Sequence, residues 1–216
     1  MTYTSVLFDL DGTVVDSSEG VTKSVSYALK KRGYGDVAPG DLLCFIGPPL
    51  REQFMAYCGV GKEEGEALVK AYREYYHDTG IWEARVYDGI PALLAAVKKA
   101  GSAVLLATSK PEAFAVRILE HFGLAKYFDF VAGANLDNTR TDKAEVIRYA
   151  LDNLSPEKAA RPLMIGDCPQ DLAGANACRI ASLAVTYGFG DRREMEALCP
   201  VTFCDSPKDV QKYLLG

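Results

Sequence analysis

The sequence predicts an α/β protein, a parallel β-sheet covered by helices and interrupted early by an all-helical insert. Three observations predict it. Short apolar runs recur along the chain, helical patterns separate the later runs, and the stretch from about Asp16 to Trp82 is helical in pattern with no strand. The chain has 216 residues, 49% hydrophobic and 25% charged, which suffices for a sizeable core in one domain or two small ones.

The first apolar run, Ser5–Leu10, reads as a buried strand. The insert follows. Asp16-x-x-Glu19 has the form of a capping box, and Val21, Val25 and Leu29 recur at helical spacing before Gly33. Gly47-Pro48-Pro49 breaks the pattern ahead of Leu50, Phe54 and Cys58, and a third helix is expected from about Glu63 to His77. Linkers near Val14–Ser17 and Ala84–Asp88 then divide the chain into a discontinuous α/β core, residues 1–15 and 84–216, and a helical domain, residues 16–83. In the core, strands are expected at Ala103–Thr108, Phe128–Ala132, Leu163–Gly166 and Leu183–Thr186. Helices are expected at Ile90–Ala100, Glu112–Phe122, Asp142–Leu151 and Asp171–Cys178, the first two stopping at Gly101 and Gly123.

Several classes of function fit poorly. The net charge of −5 argues against a nucleic-acid partner. The N-terminus lacks a signal-peptide pattern and no apolar run reaches membrane-spanning length, so no membrane partner and a cytoplasmic location are expected. Six scattered cysteines without a CxxC fit free thiols in a reducing compartment. With only His77 and His121 present, and neither at metal-like spacing to a cysteine pair, a zinc site is disfavoured.

Ligands of open parallel sheets bind beyond the carboxyl ends of the strands. There the sequence places Asp9-Leu10-Asp11-Gly12-Thr13, Thr108-Ser109-Lys110, Lys143 and Gly166-Asp167-Cys168-Pro169-Gln170-Asp171. Alternation points Asp9 and Asp11 to one side, with Cα atoms roughly 7 Å apart, and Gly12 lets the backbone turn away. Four carboxylates so close would repel one another without a cation, and carboxylates with water suit a hard metal, magnesium foremost. Thr108, Ser109, backbone N–H groups and Lys143 would hold phosphate oxygens. Taken singly, Asp-x-Asp reads as a turn, Thr108 as a strand-end hydroxyl, Lys143 as solvated and Asp171 as a helix cap. Their joint placement at strand ends points to chemistry instead.

This set resembles the four motifs of the haloacid dehalogenase superfamily, over essentially the whole chain, and the helical insert resembles its small α-helical cap on a Rossmann-like core. Phe45-Ile46-Gly47-Pro48-Pro49-Leu50 and Val185-Thr186-Tyr187-Gly188-Phe189-Gly190 are similar to phosphoglycolate phosphatases and to related nucleotidase-like and pyrophosphatase-like hydrolases. The resemblance implies a magnesium-dependent phosphatase acting on a small phosphorylated metabolite, phosphoglycolate-like, with a nucleotide or pyrophosphate as alternatives. It implies Asp9 as nucleophile, Asp11 as acid and then base, and Asp9, Asp11 (through its carbonyl) and Asp167 as magnesium ligands supported by Asp171. Thr108 and Lys143 would hold the phosphoryl oxygens, with Gly12 and Ser109 in the phosphate site. Asp11 separates phosphatases from the members that cleave carbon–halogen bonds, which lack an aspartate there. Arg51 is a candidate for a second anionic group on the substrate, with Lys110 and Arg140 as weaker ones.

Two residues depart from the family pattern. Arg179 stands where glycine is common at a helix end, and Cys168 stands where a small hydroxyl residue is usual, raising the question of oxidation. A sugar-phosphate mutase of the same superfamily is a rival reading. A receiver-like phosphoryl acceptor is another, although it would keep its aspartate on a central strand and lack the insert.

Overall fold

The computed structural model describes residues 2–137 and 139–216. In chain order its elements are β1 (Ser5–Phe8), β2 (Val15–Asp16), α1 (Ser18–Lys31), α2 (Leu50–Cys58), α3 (Lys62–Tyr76), β3 (Arg85–Val86), α4 (Ile90–Lys99), β4 (Ala103–Pro111) and α5 (Glu112–His121). There follow β5 (Phe130–Ala134), α6 (Lys143–Asp152), α7 (Pro156–Ala159), β6 (Pro162–Gly166), α8 (Pro169–Ala177), β7 (Ala181–Val185), α9 (Arg192–Glu196), β8 (Phe203–Cys204) and α10 (Pro207–Leu215). The backbone separates into two compact units, Met1–Val15 with Val86–Gly216, and Asp16–Arg85.

The first unit is built on a six-stranded sheet in the order β5-β4-β1-β6-β7-β8, its neighbours paired in parallel. β1 is central, pairing Val6 with Val104 on one side and Leu163 on the other. Its four residues are all buried, as a strand covered on both faces requires. On one face Leu7, Leu105, Ala107, Ala132 and Met164 pack with Val146, Ile147 and Ala150 of α6 and Ala175 of α8. The reversal of strand order from β4 to β6 around β1 creates the switch point at which α/β sheets bind ligands.

The second unit packs α1, α2 and α3 with a 3₁₀ segment, Pro39–Phe45. Its interior is apolar and aromatic. Val21, Val25 and Leu29 of α1 are buried, as are Phe54 of α2 and Leu68, Tyr72 and Tyr76 of α3, with Phe45 and Phe54 rings 4.8 Å apart. Among the described residues, no helix of the chain is long and apolar enough to cross a membrane.

Several elements differ from the sequence expectation. β1 ends at Phe8, because the Leu10 carbonyl accepts the N–H groups of Thr13, Val14 and Val15 and closes a tight loop. β4 runs on to Pro111 through a register irregularity after Ala107, and β5 is Phe130–Ala134 instead of Phe128–Ala132. The capping box at Asp16 and Glu19 does not form. Asp16 Oδ1 accepts from the N–H and hydroxyl of Ser18, its Oδ2 accepts from Arg85, and Glu19 pairs with Lys23. Arg179 is left-handed at φ 57°, the helix-ending conformation that favours glycine, as its departure from the family pattern anticipated.

Candidate active site

The site forms at the carboxyl edge of the sheet, where β1, β4 and β6 deliver their last residues side by side. The Asp9 N–H donates to the Ile165 carbonyl (2.9 Å), which continues the strand pairing by one residue and fixes the Asp9 backbone. Lys143 opens α6. Asp142 caps that helix by accepting from Ala144 N (2.9 Å) and Glu145 N (3.2 Å). From that first turn Lys143 Nζ donates to Asp9 Oδ1 (2.8 Å) and to the Ala107 carbonyl (3.1 Å), and it lies 2.7 Å from Asp171 Oδ1. The lysine side chain is only 5% exposed, so this is a buried ion pair with two carboxylates.

Asp167 is fully buried and held from three sides. Thr13 Oγ1 donates to its Oδ1 (3.0 Å), while Phe189 N (2.8 Å) and Cys168 Sγ (3.5 Å) donate to its Oδ2. The backbone must come very close to accomplish this. A Cβ at Gly12, which sits at φ 81°, would lie 2.1 Å from Asp167 Oδ2, and one at Gly188 would lie 2.3 Å from the same oxygen. Only glycine fits at either position. Asp171 in the first turn of α8 accepts from Cys168 N (3.1 Å) on its other oxygen.

The electrostatics follow from burial. It pushes the Asp167 carboxyl up to about 7, with the charges of Asp171 and Asp9 adding to the effect. Burial likewise pushes Asp9 up to about 6, against the pull of Lys143. Burial also works against the Lys143 charge, but the carboxylates of Asp171 and Asp9 outweigh it and raise the lysine. The Cys168 thiol is raised by burial and by the carboxylates of Asp167, Asp171 and Asp9. Thiolate formation is therefore disfavoured, so a readily oxidised Cys168 is not what its surroundings produce.

The other sequence candidates are placed as follows. Thr108 is buried near the end of β4 and its hydroxyl accepts from Lys110 N (3.2 Å), with half-buried Ser109 between them. Asp11 Oδ2 lies 2.9 Å from Lys110 Nζ. Arg140 donates to the Gly133 carbonyl, Glu112 and Asn135, and stacks 3.7 Å over the Tyr149 ring, which braces the loop leading to Lys143. Arg51 belongs to the helical unit, where Glu52 (2.6 Å) and Glu66 (3.6 Å) engage its guanidinium. Four carboxylates, Asp9, Asp11, Asp167 and Asp171, thus converge with two lysines, Lys110 and Lys143.

Sequence reasoning assigned no role to Thr13, Tyr187 or the Phe189 N–H. The Tyr187 hydroxyl donates to the Thr13 carbonyl (3.0 Å), and its ring meets Tyr87 edge-on at 4.9 Å. The available signal was positional: Tyr187-Gly188-Phe189-Gly190 begins just past the end of β7, one more strand end on the same edge.

The arrangement suits a cation. Two lysines leave two of the four carboxylate charges uncompensated, and the repulsion among the carboxylates adds to the burial that raises Asp9 and Asp167. Asp167, Cys168 and Asp171 bring ligand atoms within 4.8 Å of one another. The oxygens of Asp9 and Asp167 match a hard divalent ion, whereas the Cys168 sulfur, a proton donor to Asp167, does not.

Residues 6–185 match the family model for haloacid dehalogenase-like hydrolases. The chain is 43% identical over 202 residues to a 5'-nucleotidase of Pseudomonas aeruginosa, covering 94% of this chain and 91% of that one. It is 42% identical over 186 residues to the tyrosine-protein kinase PtkA of Mycobacterium tuberculosis, covering 86% of this chain and 62% of the kinase. A crystal structure from Clostridium acetobutylicum, described as a predicted phosphatase, superposes with a TM-score of 0.93 at 41% identity, covering 100% of this chain and 99% of that one. The chain belongs to the haloacid dehalogenase-like hydrolase family and is an enzyme of its phosphatase type.

Proposed function

We propose that this enzyme hydrolyses a small phosphate monoester through a phosphoryl group carried on Asp9. The observation that carries the reading is the Lys143 bridge between Asp9 and Asp171 at the carboxyl edge of the sheet. It holds one oxygen of a buried carboxylate and leaves the other, Oδ2, to attack phosphorus. Attack forms the Asp9–phosphorus bond and expels the alcohol, whose oxygen takes a proton from Asp11. Asp11, now ionised, takes a proton from the water that attacks phosphorus, and Asp9 departs as a carboxylate. Thr108 and Lys143 hold phosphoryl oxygens while charge builds on them.

Magnesium is the proposed cofactor, held by Asp9, Asp167 and the Asp11 carbonyl with Asp171 behind them. When bound it supplies positive charge for the phosphoryl oxygens. Lys143 keeps Asp171 oriented, and Thr13 and Phe189 N–H keep Asp167 oriented. The helical unit, residues 16–83 in the sequence reading and Asp16–Arg85 by its contacts, is proposed to act as a cap that selects substrate, with Arg51 a candidate contact. Of the substrates considered, a nucleoside 5'-monophosphate now stands ahead of phosphoglycolate, because the 43% identical relative is a 5'-nucleotidase. A cytoplasmic setting fits such a metabolite.

Phosphate release from adenosine monophosphate, phosphoglycolate, glucose 6-phosphate and pyrophosphate, with magnesium or with chelator, tests this reading. Magnesium-dependent release led by the nucleotide is expected. Undiminished release in chelator removes the metal, and transfer of phosphate between sugars without release removes the hydrolase reading.

A further inference from the structure

Lys110 is a buried cation that the mechanism above does not use. Its side chain is 7% exposed, and its Nζ lies 2.9 Å from Asp11 Oδ2. Its position is set by β4: the register irregularity after Ala107 carries the strand on to Pro111, and Lys110 N donates to Thr108 Oγ1 (3.2 Å). The other Asp11 oxygen, Oδ1, is buried and has no hydrogen-bond partner among the described residues. The two oxygens of this carboxyl group are therefore inequivalent.

That asymmetry has a chemical meaning. A lysine ammonium has three N–H donors and no acceptor. An oxygen facing it accepts and cannot also present a proton to it. Whenever Asp11 carries a proton, the proton is therefore directed to Oδ1, the oxygen without a partner. We propose that Lys110 is the positioning residue of the acid–base step, clamping Asp11 through Oδ2 so that Oδ1 gives its proton to the leaving oxygen. In that step the phosphorus–oxygen bond to the alcohol breaks, its electron pair stays on the leaving oxygen, and the Oδ1 proton joins it to release the neutral alcohol. Asp11 is left as a carboxylate still held by Lys110. The inference rests on the proposed role of Asp11 and adds what orients it.

Leaving groups of different quality separate this role from phosphate binding or simple structural support. A poor leaving group needs the proton and a good one does not, so phenyl phosphate and 2,4-dinitrophenyl phosphate serve as probes. The quantity read is kcat/KM, which reports the steps up to loss of the alcohol. Lys110→Met should lower it for phenyl phosphate by on the order of 10²-fold, the lower range of general acid catalysis, and leave 2,4-dinitrophenyl phosphate within a small factor of wild type. Lys110→Arg, which keeps the cation, should restore most of the loss. If Lys110→Met does not fold, Lys110→Gln carries the same comparison, because its amide oxygen can accept a proton from Oδ2 and so removes the distinction. Equal loss on both esters, or no loss, in the folded variant overturns the role of Lys110. Asp11→Asn serves as the control. If it too slows both esters equally, Asp11 is not the acid and this proposal falls with that reading; if it discriminates while Lys110→Met does not, only the role of Lys110 falls.

Discussion

The two units of this chain use charge in opposite ways. In the helical unit, among the described residues, the buried polar side chains are the uncharged Ser17, Thr22 and Ser24, and ion pairs such as Lys30 with Asp36, Lys31 with Glu74 and Arg32 with Glu64 keep their partners at least partly exposed. At the sheet edge of the core unit, Asp9, Asp167, Asp171, Thr108 and Lys143 are buried, and each polar contact also defines a position in the site. Charge serves as solvated trim in one unit and as buried machinery in the other. The lesson is that removing one partner has very different consequences, since an exposed partner is resolvated by water and a buried one is left uncompensated.

The sharpest way to break this comparison is Lys143→Met. It leaves Asp9 and Asp171 without their shared cation and should cost about 3–5 kcal/mol in stability without added metal, the usual effect of breaking a buried pair. Denaturant unfolding reads it. Under the proposed mechanism activity should fall in parallel by roughly 10²-fold or more, because that mechanism has Lys143 hold phosphoryl oxygens.

Next in size is a pH effect specific to the core. In the folded protein Asp9 and Asp167 are raised to about 6 and about 7, whereas an unfolded chain titrates its aspartates near about 3.9. Their contribution to stability is fully present below the unfolded value. It is lost as pH rises through the folded values, because the unfolded chain gives up protons that the folded chain still holds. Without metal, thermal melts should therefore show wild type losing stability relative to Asp167→Asn between about pH 4 and 7. Magnesium should flatten that loss by favouring the ionised carboxylates. A difference between the two proteins that does not change with pH would contradict it.

The smallest effect belongs to the helical unit. Glu64→Gln removes a partly exposed partner of Arg32 and should change stability by less than about 1 kcal/mol. A melting shift as large as that of Lys143→Met would erase the distinction between the units.

Much of this molecule could be read directly from its sequence. The α/β class and five strands of the sheet followed from apolar runs and their spacing, because strands buried on both faces carry a strong compositional signal, whereas the family followed from the resemblance of the motifs around Asp9, Thr108, Lys143 and Asp167. The pairs β2–β3 and the edge strand β8 did not, since two residues are too few to show any period. Asp16 and Glu19 matched a capping pattern, yet Arg85, 69 positions away, competes for the same carboxylate. At the candidate site, Asp9, Lys143, Asp167 and Asp171 come together and Thr108 stands near the end of β4, a placement that the convergence of strand ends predicts. The contacts of Thr13 and the Phe189 N–H with Asp167, and the approach of Lys110 to Asp11, depend on side-chain direction and loop closure, which spacing does not encode.

The most direct measurement of the central claim is acid-quenched single turnover with p-nitrophenyl phosphate and magnesium, followed by peptide mass analysis. A phosphoryl group should be found transiently on the peptide containing Asp9, with Asp9→Asn forming no adduct and losing at least ~10⁴-fold in turnover. Phosphate release at the wild-type rate from Asp9→Asn, or turnover with no phosphoryl group on that peptide at any time, would contradict the account.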